Sequence, residues 1–166
     1  MLSPVALPLR LCGEVGFALW CRIQMTEVFF YTNTDNKLQT ACTLTLKALS
    51  RGMRVMLLTP DSEETERLSR LIWSVPPIGF VPHCRSADRL APVTPVIVDH
   101  VADPLVHDQV LVNLCDETPA FFSRFQRLVE IVGTEDADRE AARARFRFYR
   151  DRGYEIRTHP LGVAAS

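Results

Sequence analysis

A chain of 166 residues with 47% hydrophobic content is long enough to bury one good core and too short for two ordinary domains. Its 19 Lys and Arg against 20 Asp and Glu leave a net charge of -1, which excludes a generally basic, histone-like or coat-like binder. Five cysteines (Cys12, Cys21, Cys42, Cys84, Cys115) form no CxxC pair, and an odd number scattered among apolar residues fits reduced core thiols in a cytoplasmic protein better than a disulfide framework or a zinc site.

The first 24 residues are apolar but broken by Arg10 and Glu14, carry Pro4, Pro8, Gly13 and Gly16, and lack a basic n-region and a small-x-small cleavage site. They make a poor signal peptide, and no apolar run approaches the ~18 residues of a membrane span. The folded domain is expected to start at Met25 and run to the C-terminus as a single unit, 25–166. The leader, 1–24, is then either a disordered tail or an upstream start-codon artefact.

From Met25 the pattern reads strand, helix, strand, helix, a proline-rich connection, two strands and two helices. Val28-Phe29-Phe30-Tyr31 opens a strand at 27–31, and Leu38, Ala41, Cys42, Thr45, Leu46 and Leu49 recur at helical spacing up to Arg51-Gly52. Arg54 to Leu58 is a short run of buried-strand type, and Asp61 with Glu64 resembles a capping box for a helix reaching about Trp73. Five prolines between Val75 and Pro95 predict a loop. Strands follow at 95–98 and 109–114. Thr118-Pro119 then reads as a helix start, and 135–153 as a last helix closed by Gly153. Strands alternating with helices predict a three-layer, Rossmann-like α/β fold with a largely parallel sheet and helices on both faces.

Nucleotide chemistry has no support in these turns. The first strand leads into Thr32-Asn33-Thr34-Asp35-Asn36-Lys37, with no glycine to let backbone approach a pyrophosphate, so no nucleotide-binding loop and no cofactor are expected. No GxSxG elbow exists, and Cys84 has His83 and Arg85 beside it only in sequence. The cluster from Asp99 through His100, Asp103 and His107 to Asp108 is the best metal candidate, although it matches no defined ligand spacing. It is the sole footing for an alternative reading as a small metal-dependent α/β enzyme.

Two segments look like binding surfaces. Trp73, Pro76, Phe80, Val81 and Pro82 place aromatic and aliphatic groups on a helix end and a proline-stiffened loop, where they either plug the sheet edge or offer a hot spot at low ordering cost. On the last helix, a turn of about 100° per residue gathers Arg139, Arg143, Phe146, Arg147 and Arg150 within about 100° of arc. Ala137, Ala141, Ala144 and Phe148 then form the expected core face. Guanidinium forks suit phosphates and carboxylates alike. A direct single-stranded nucleic-acid binder would need several stacking rings along a groove; this stripe has one, and a short acidic peptide ending in an apolar residue with a free carboxylate fits it better.

With these residues in hand, the sequence resembles the chi subunit of bacterial DNA polymerase III holoenzyme. The matching strings are Phe29-Phe30-Tyr31, Gly52-Met53-Arg54-Val55-Met56-Leu57-Leu58, Trp73-x-x-Pro76-x-x-x-Phe80-Val81-Pro82-His83, and Arg143-x-Arg145-Phe146-Arg147-x-Tyr149-Arg150-x-x-Gly153-Tyr154. The resemblance implies a noncatalytic replication factor that links the clamp-loader complex, through the psi subunit, to the acidic C-terminal tail of single-stranded DNA-binding protein. It implies further that Arg139, Arg143, Phe146, Arg147 and Arg150 hold that tail, so that contact with DNA is mostly indirect. Trp73, Pro76, Phe80, Val81 and Pro82 would carry psi or a competing helicase. Phe146 departs from the family pattern, in which a tyrosine is usual.

Overall fold

The computed structural model describes residues 25–74 and 80–162. The 1–24 leader and residues 75–79, with the Pro76 expected at a partner interface, lie outside them. Strands β1 (Glu27–Thr34), β2 (Val55–Leu58), β3 (His83–Cys84), β4 (Val96–Asp99), β5 (Val110–Asn113), β6 (Arg127–Gly133) and β7 (Ile156–Pro160) form one sheet in the order β3-β4-β2-β5-β6-β1-β7. Every pairing is parallel, so connections must cross the faces of the sheet. Helices α1 (Lys37–Leu49), α2 (Ser62–Ser74) and α3 (Asp136–Asp151) complete the expected Rossmann-like α/β arrangement.

Local chemistry accounts for most of these elements. The runs VMLL, VIVD and VLVN of β2, β4 and β5 are buried at all four positions, as strands covered on both faces must be. Asn36 caps α1 by accepting from the Gln39 amide at 3.0 Å, and Asp61 caps α2 by accepting from the Glu64 amide at 2.8 Å. Gly52 and Gly153, just past α1 and α3, take φ of 71° and 77°, which a side chain would resist.

The two faces are covered unequally. On one, Ala41 and Cys42 of α1 and Leu68 and Ile72 of α2 pack over Val55, Leu57, Val98 and Val112. On the other, α3 brings Ala142 and Tyr149 against Val28, Phe30 and Leu128, beside Phe122 and Phe125 from the segment before β6.

Three expectations need correction. The helix signal at Thr118-Pro119 yields a single 3-10 turn, Phe122–Arg124, and the chain then enters β6, a strand of the sheet interior. Pro119 does open a turn, its carbonyl accepting from the Phe122 amide at 3.1 Å, but no side chain caps it, and the following RLVEIVG is a strand buried on both faces whose apolar run is interrupted by Glu130. The proline-rich connection holds a two-residue edge strand, β3. β7 forms the other edge; it is almost wholly exposed and so has no apolar signature to read. Pro160 ends it, at an edge position where a missing N–H is tolerated.

Candidate functional site

The stripe of α3 that enters the core is Ala142, Arg145 and Tyr149, whereas Ala137 and Ala144 are exposed and Ala141 and Phe148 only half-buried. The core face therefore lies roughly 110° round the helix from the arginine row instead of opposite it. The physical reason is a charge in the core. Glu130 of β6 is 0% exposed and Arg145 3%, and the Arg145 Nε donates to Glu130 Oε2 at 2.9 Å. The Tyr149 hydroxyl donates to Glu130 Oε1 at 2.7 Å, and the Asn113 amide donates to both carboxylate oxygens at 3.2 Å. Desolvation pushes the Glu130 carboxyl up, against the lowering pull of Arg145 and these hydrogen bonds. The same network ties down the loop after β5, since Arg145 Nη1 donates to the Asp116 carbonyl at 2.7 Å and Asn113 to the Glu117 carbonyl at 3.0 Å. It fixes α3 on the sheet.

Because α3 is anchored by that stripe, its neighbouring stripe hangs over the margin of the sheet at β1 and β7. A groove of about 240 Å³ opens there, with Arg139, Arg143 and Phe146 of α3 on one side and Thr32, Asn33 and Thr158 on the other. Phe30, Val132 and Ala142 give it an apolar floor. Phe146 is half-buried instead of free, its ring lying edge-on to Phe30 with centroids 5.4 Å apart. Arg139 reaches Asp136 only at 3.9 Å, and Arg143 and Arg147 form no ion pair among the described residues. Arg147 is exposed just outside the lining, while Arg150 is turned to Asp151 at 2.9 Å. Three guanidinium groups beside a small apolar floor suit an anionic ligand that ends in one apolar group.

The second expected surface is divided. Trp73 and Phe80 are each 64% exposed with ring centroids 4.8 Å apart, so they present themselves outward and do not plug the sheet edge. Pro82 is exposed as well, but Val81 is buried in the core and offers nothing to a partner. His83 stands edge-on to Trp73 at 5.7 Å and is held through both ring nitrogens, to Ser69 Oγ at 2.8 Å and to the Val81 carbonyl at 2.9 Å. An exposed aromatic pair on a fixed base has the character of a docking patch.

The enzyme readings fare less well. A crevice of about 690 Å³ lies outside the carboxyl ends of the strands, where this architecture usually takes ligands. Asp35, Glu64, Asp116, Glu135 and Asp138 line it against only Lys37 and Arg67, and Lys37 is paired with Asp138 at 3.0 Å. That balance repels a phosphate. Asp99 is consumed by structure: its two oxygens accept from the amides of Ser86, His100 and Val101 at 2.9, 2.9 and 3.2 Å. Among the described residues, no group of three His, Cys, Asp or Glu is placed to hold a metal ion, and no helix is long and apolar enough to cross a membrane.

Sequence reasoning found the groove's arginines and its ring and missed its floor and far wall. Phe30 carried a signal only as part of the apolar run of β1, whereas Val132 and Asn33 lie near strand ends and Thr158 in an exposed edge strand, so that their meeting depends on pairing. Comparison with known proteins agrees with the family strings. The profile of the family described as DNA polymerase III chi subunit, HolC, matches residues 25–157. A DNA polymerase III subunit chi from Pseudomonas aeruginosa is 37% identical over 141 residues, spanning 82% of this chain and 98% of that protein. Proteins of the same name from Haemophilus influenzae and Escherichia coli are each 27% identical, over 80% and 72% of this chain and 96% and 82% of their own lengths.

Proposed function

This chain belongs to the DNA polymerase III chi subunit family, and we propose that it acts in DNA replication as a noncatalytic adaptor linking the clamp-loader complex to the C-terminal tail of single-stranded DNA-binding protein. The observation that carries the reading is the groove between α3 and β1, in which Arg139, Arg143 and Phe146 stand over a floor of Phe30, Val132 and Ala142. A terminal apolar side chain fills the floor, the terminal carboxylate meets the guanidinium forks, and the acidic residues before it face Arg147 and the outer turns of α3. The Trp73–Phe80 patch, with Pro82, serves the second partner, psi or a helicase. Pro76 belongs to the same interface by its place in the sequence.

The test is a fluorescence-anisotropy titration with an acidic peptide that ends in Phe and a free carboxylate. Wild-type protein binds it, more weakly as salt rises. Arg143→Glu and Arg147→Glu each abolish binding, and amidation of the peptide terminus lowers the affinity by roughly tenfold or more. Unchanged affinity in both charge reversals sinks the proposal. An oligonucleotide of bare single-stranded DNA, titrated alongside, binds weakly or not at all.

A further inference from the structure

Beside the groove, the pairing of β1 with β6 is irregular. Tyr31 faces Ile131 and Thr34 faces Gly133, so Thr32 and Asn33 together stand opposite the single residue Val132. This is a bulge, a device that re-aims side chains next to binding sites. Asn33 has φ of 62° and is the only non-glycine residue with positive φ among those described. Asn33 is exposed and lines the groove together with Arg139 and Arg143, and its side chain has no hydrogen-bond partner among the described residues.

Asparagine is one of the few side chains that tolerates this backbone region, so the conformation alone explains its type only up to glycine or aspartate. What distinguishes Asn is the carboxamide, a donor and an acceptor held in one plane, which matches the carbonyl and N–H of a peptide bond. Resting on the peptide reading above, we propose that Asn33 is a specificity-determining residue that reads the last peptide bond of the bound tail. Its Nδ2 donates to the carbonyl before the terminal residue, and its Oδ1 accepts from the terminal residue's N–H. Arginines on one wall take the charge while the bulge on the other checks that the ligand is a peptide chain. An acidic ligand without that amide, such as a nucleic acid, satisfies only one wall.

The experiment pairs two proteins with two peptides. Asn33→Gly keeps the left-handed backbone and deletes the carboxamide. The second peptide is identical to the first except that its last peptide bond is an ester, which removes the N–H and weakens the carbonyl as an acceptor. Wild-type protein binds the ester about tenfold more weakly than the amide; Asn33→Gly binds the amide about tenfold more weakly than wild type and hardly distinguishes the two peptides. An Asn33→Gly protein that binds the amide as wild type does, or that pays the full ester penalty, overturns the role of Asn33. In either case, wild-type binding that Arg143→Glu abolishes keeps the parent reading standing. Wild-type protein that binds neither peptide overturns both. Asn33→Asp supplies a second check, since it retains the shape, offers acceptors alone and faces acidic residues; it binds the amide more weakly than Asn33→Gly does, and equal or tighter binding counts against the assignment.

Discussion

The polar core beneath α3 and the groove beside it are made of the same materials, arginine and an aromatic ring, on stripes of one helix roughly 110° apart. In the core, Arg145 and Tyr149 meet the carboxylate of Glu130 and are sealed from water. In the groove, Arg143 has no acidic partner among the described residues and Phe146 is half-covered by Phe30. The difference lies wholly in what the neighbouring strand offers. A guanidinium that finds its anion inside the chain becomes part of the scaffold, and one that does not is left to find it in a ligand.

The largest expected effect comes from breaking the scaffold half. Arg145→Met leaves Glu130 buried without its charge partner and should cost about 3–5 kcal/mol, a large fraction of the 5–15 kcal/mol typical of a domain. A urea melt reads it directly. Replacing both partners, Arg145→Met with Glu130→Met, should recover most of the loss, because a buried ion pair is costly to halve and often inexpensive to remove. A double variant no more stable than Arg145→Met would mean that Tyr149 and Asn113 need the carboxylate for themselves.

The groove half should answer in the opposite currency. Arg143→Glu changes stability by no more than about 0.5 kcal/mol, as expected of an exposed substitution away from any network, even as it abolishes peptide binding. A melt displaced as far as that of Arg145→Met would erase the contrast between the two stripes. Trp73→Ala belongs with Arg143→Glu: a side chain 64% exposed has little packing to lose, so the melt stays within about 0.5 kcal/mol of wild type.

How much of this the sequence revealed follows from the range of the interactions. The βαβα beginning was legible because caps, glycine stops and apolar runs act within a few residues, as at Asp61 and Gly52. The arginine row was legible for the same reason. The core stripe of α3 was not, since alanines look apolar at any angle and an arginine looks exposed until Glu130, 15 residues away and on another element, is seen to wait for it. β6 was hidden by that same glutamate, and β7 by being an edge. The floor of the groove depends on the parallel register of β1 with β6 and β7, for which no local pattern exists.

The smallest expected effect separates what Arg145 does by charge from what it does by tether. Burial pushes the thiols of Cys42, on the inner face of α1, and Cys115, in the loop that Arg145 holds, up to about 11. Their folded values lie above the ordinary thiol value of about 8.5, so the protonated form is favoured by folding. The stability this gives is complete below that ordinary value and is lost as pH rises toward 11. At pH 8 both native thiolates should be on the order of a hundredfold scarcer than in urea, and alkylation by iodoacetamide, read residue by residue by mass spectrometry, correspondingly slow. In Arg145→Met, loss of the positive charge alone would raise Cys115 further and slow it, because Arg145 lowers that thiol in the native protein. Loss of the bond from Arg145 to the Asp116 carbonyl would free the loop and speed it. We expect the tether to win, with Cys115 several-fold faster and Cys42 unchanged. Equal acceleration at both would report global unfolding instead, and slowing at Cys115 would reduce Arg145 to a counter-ion for Glu130.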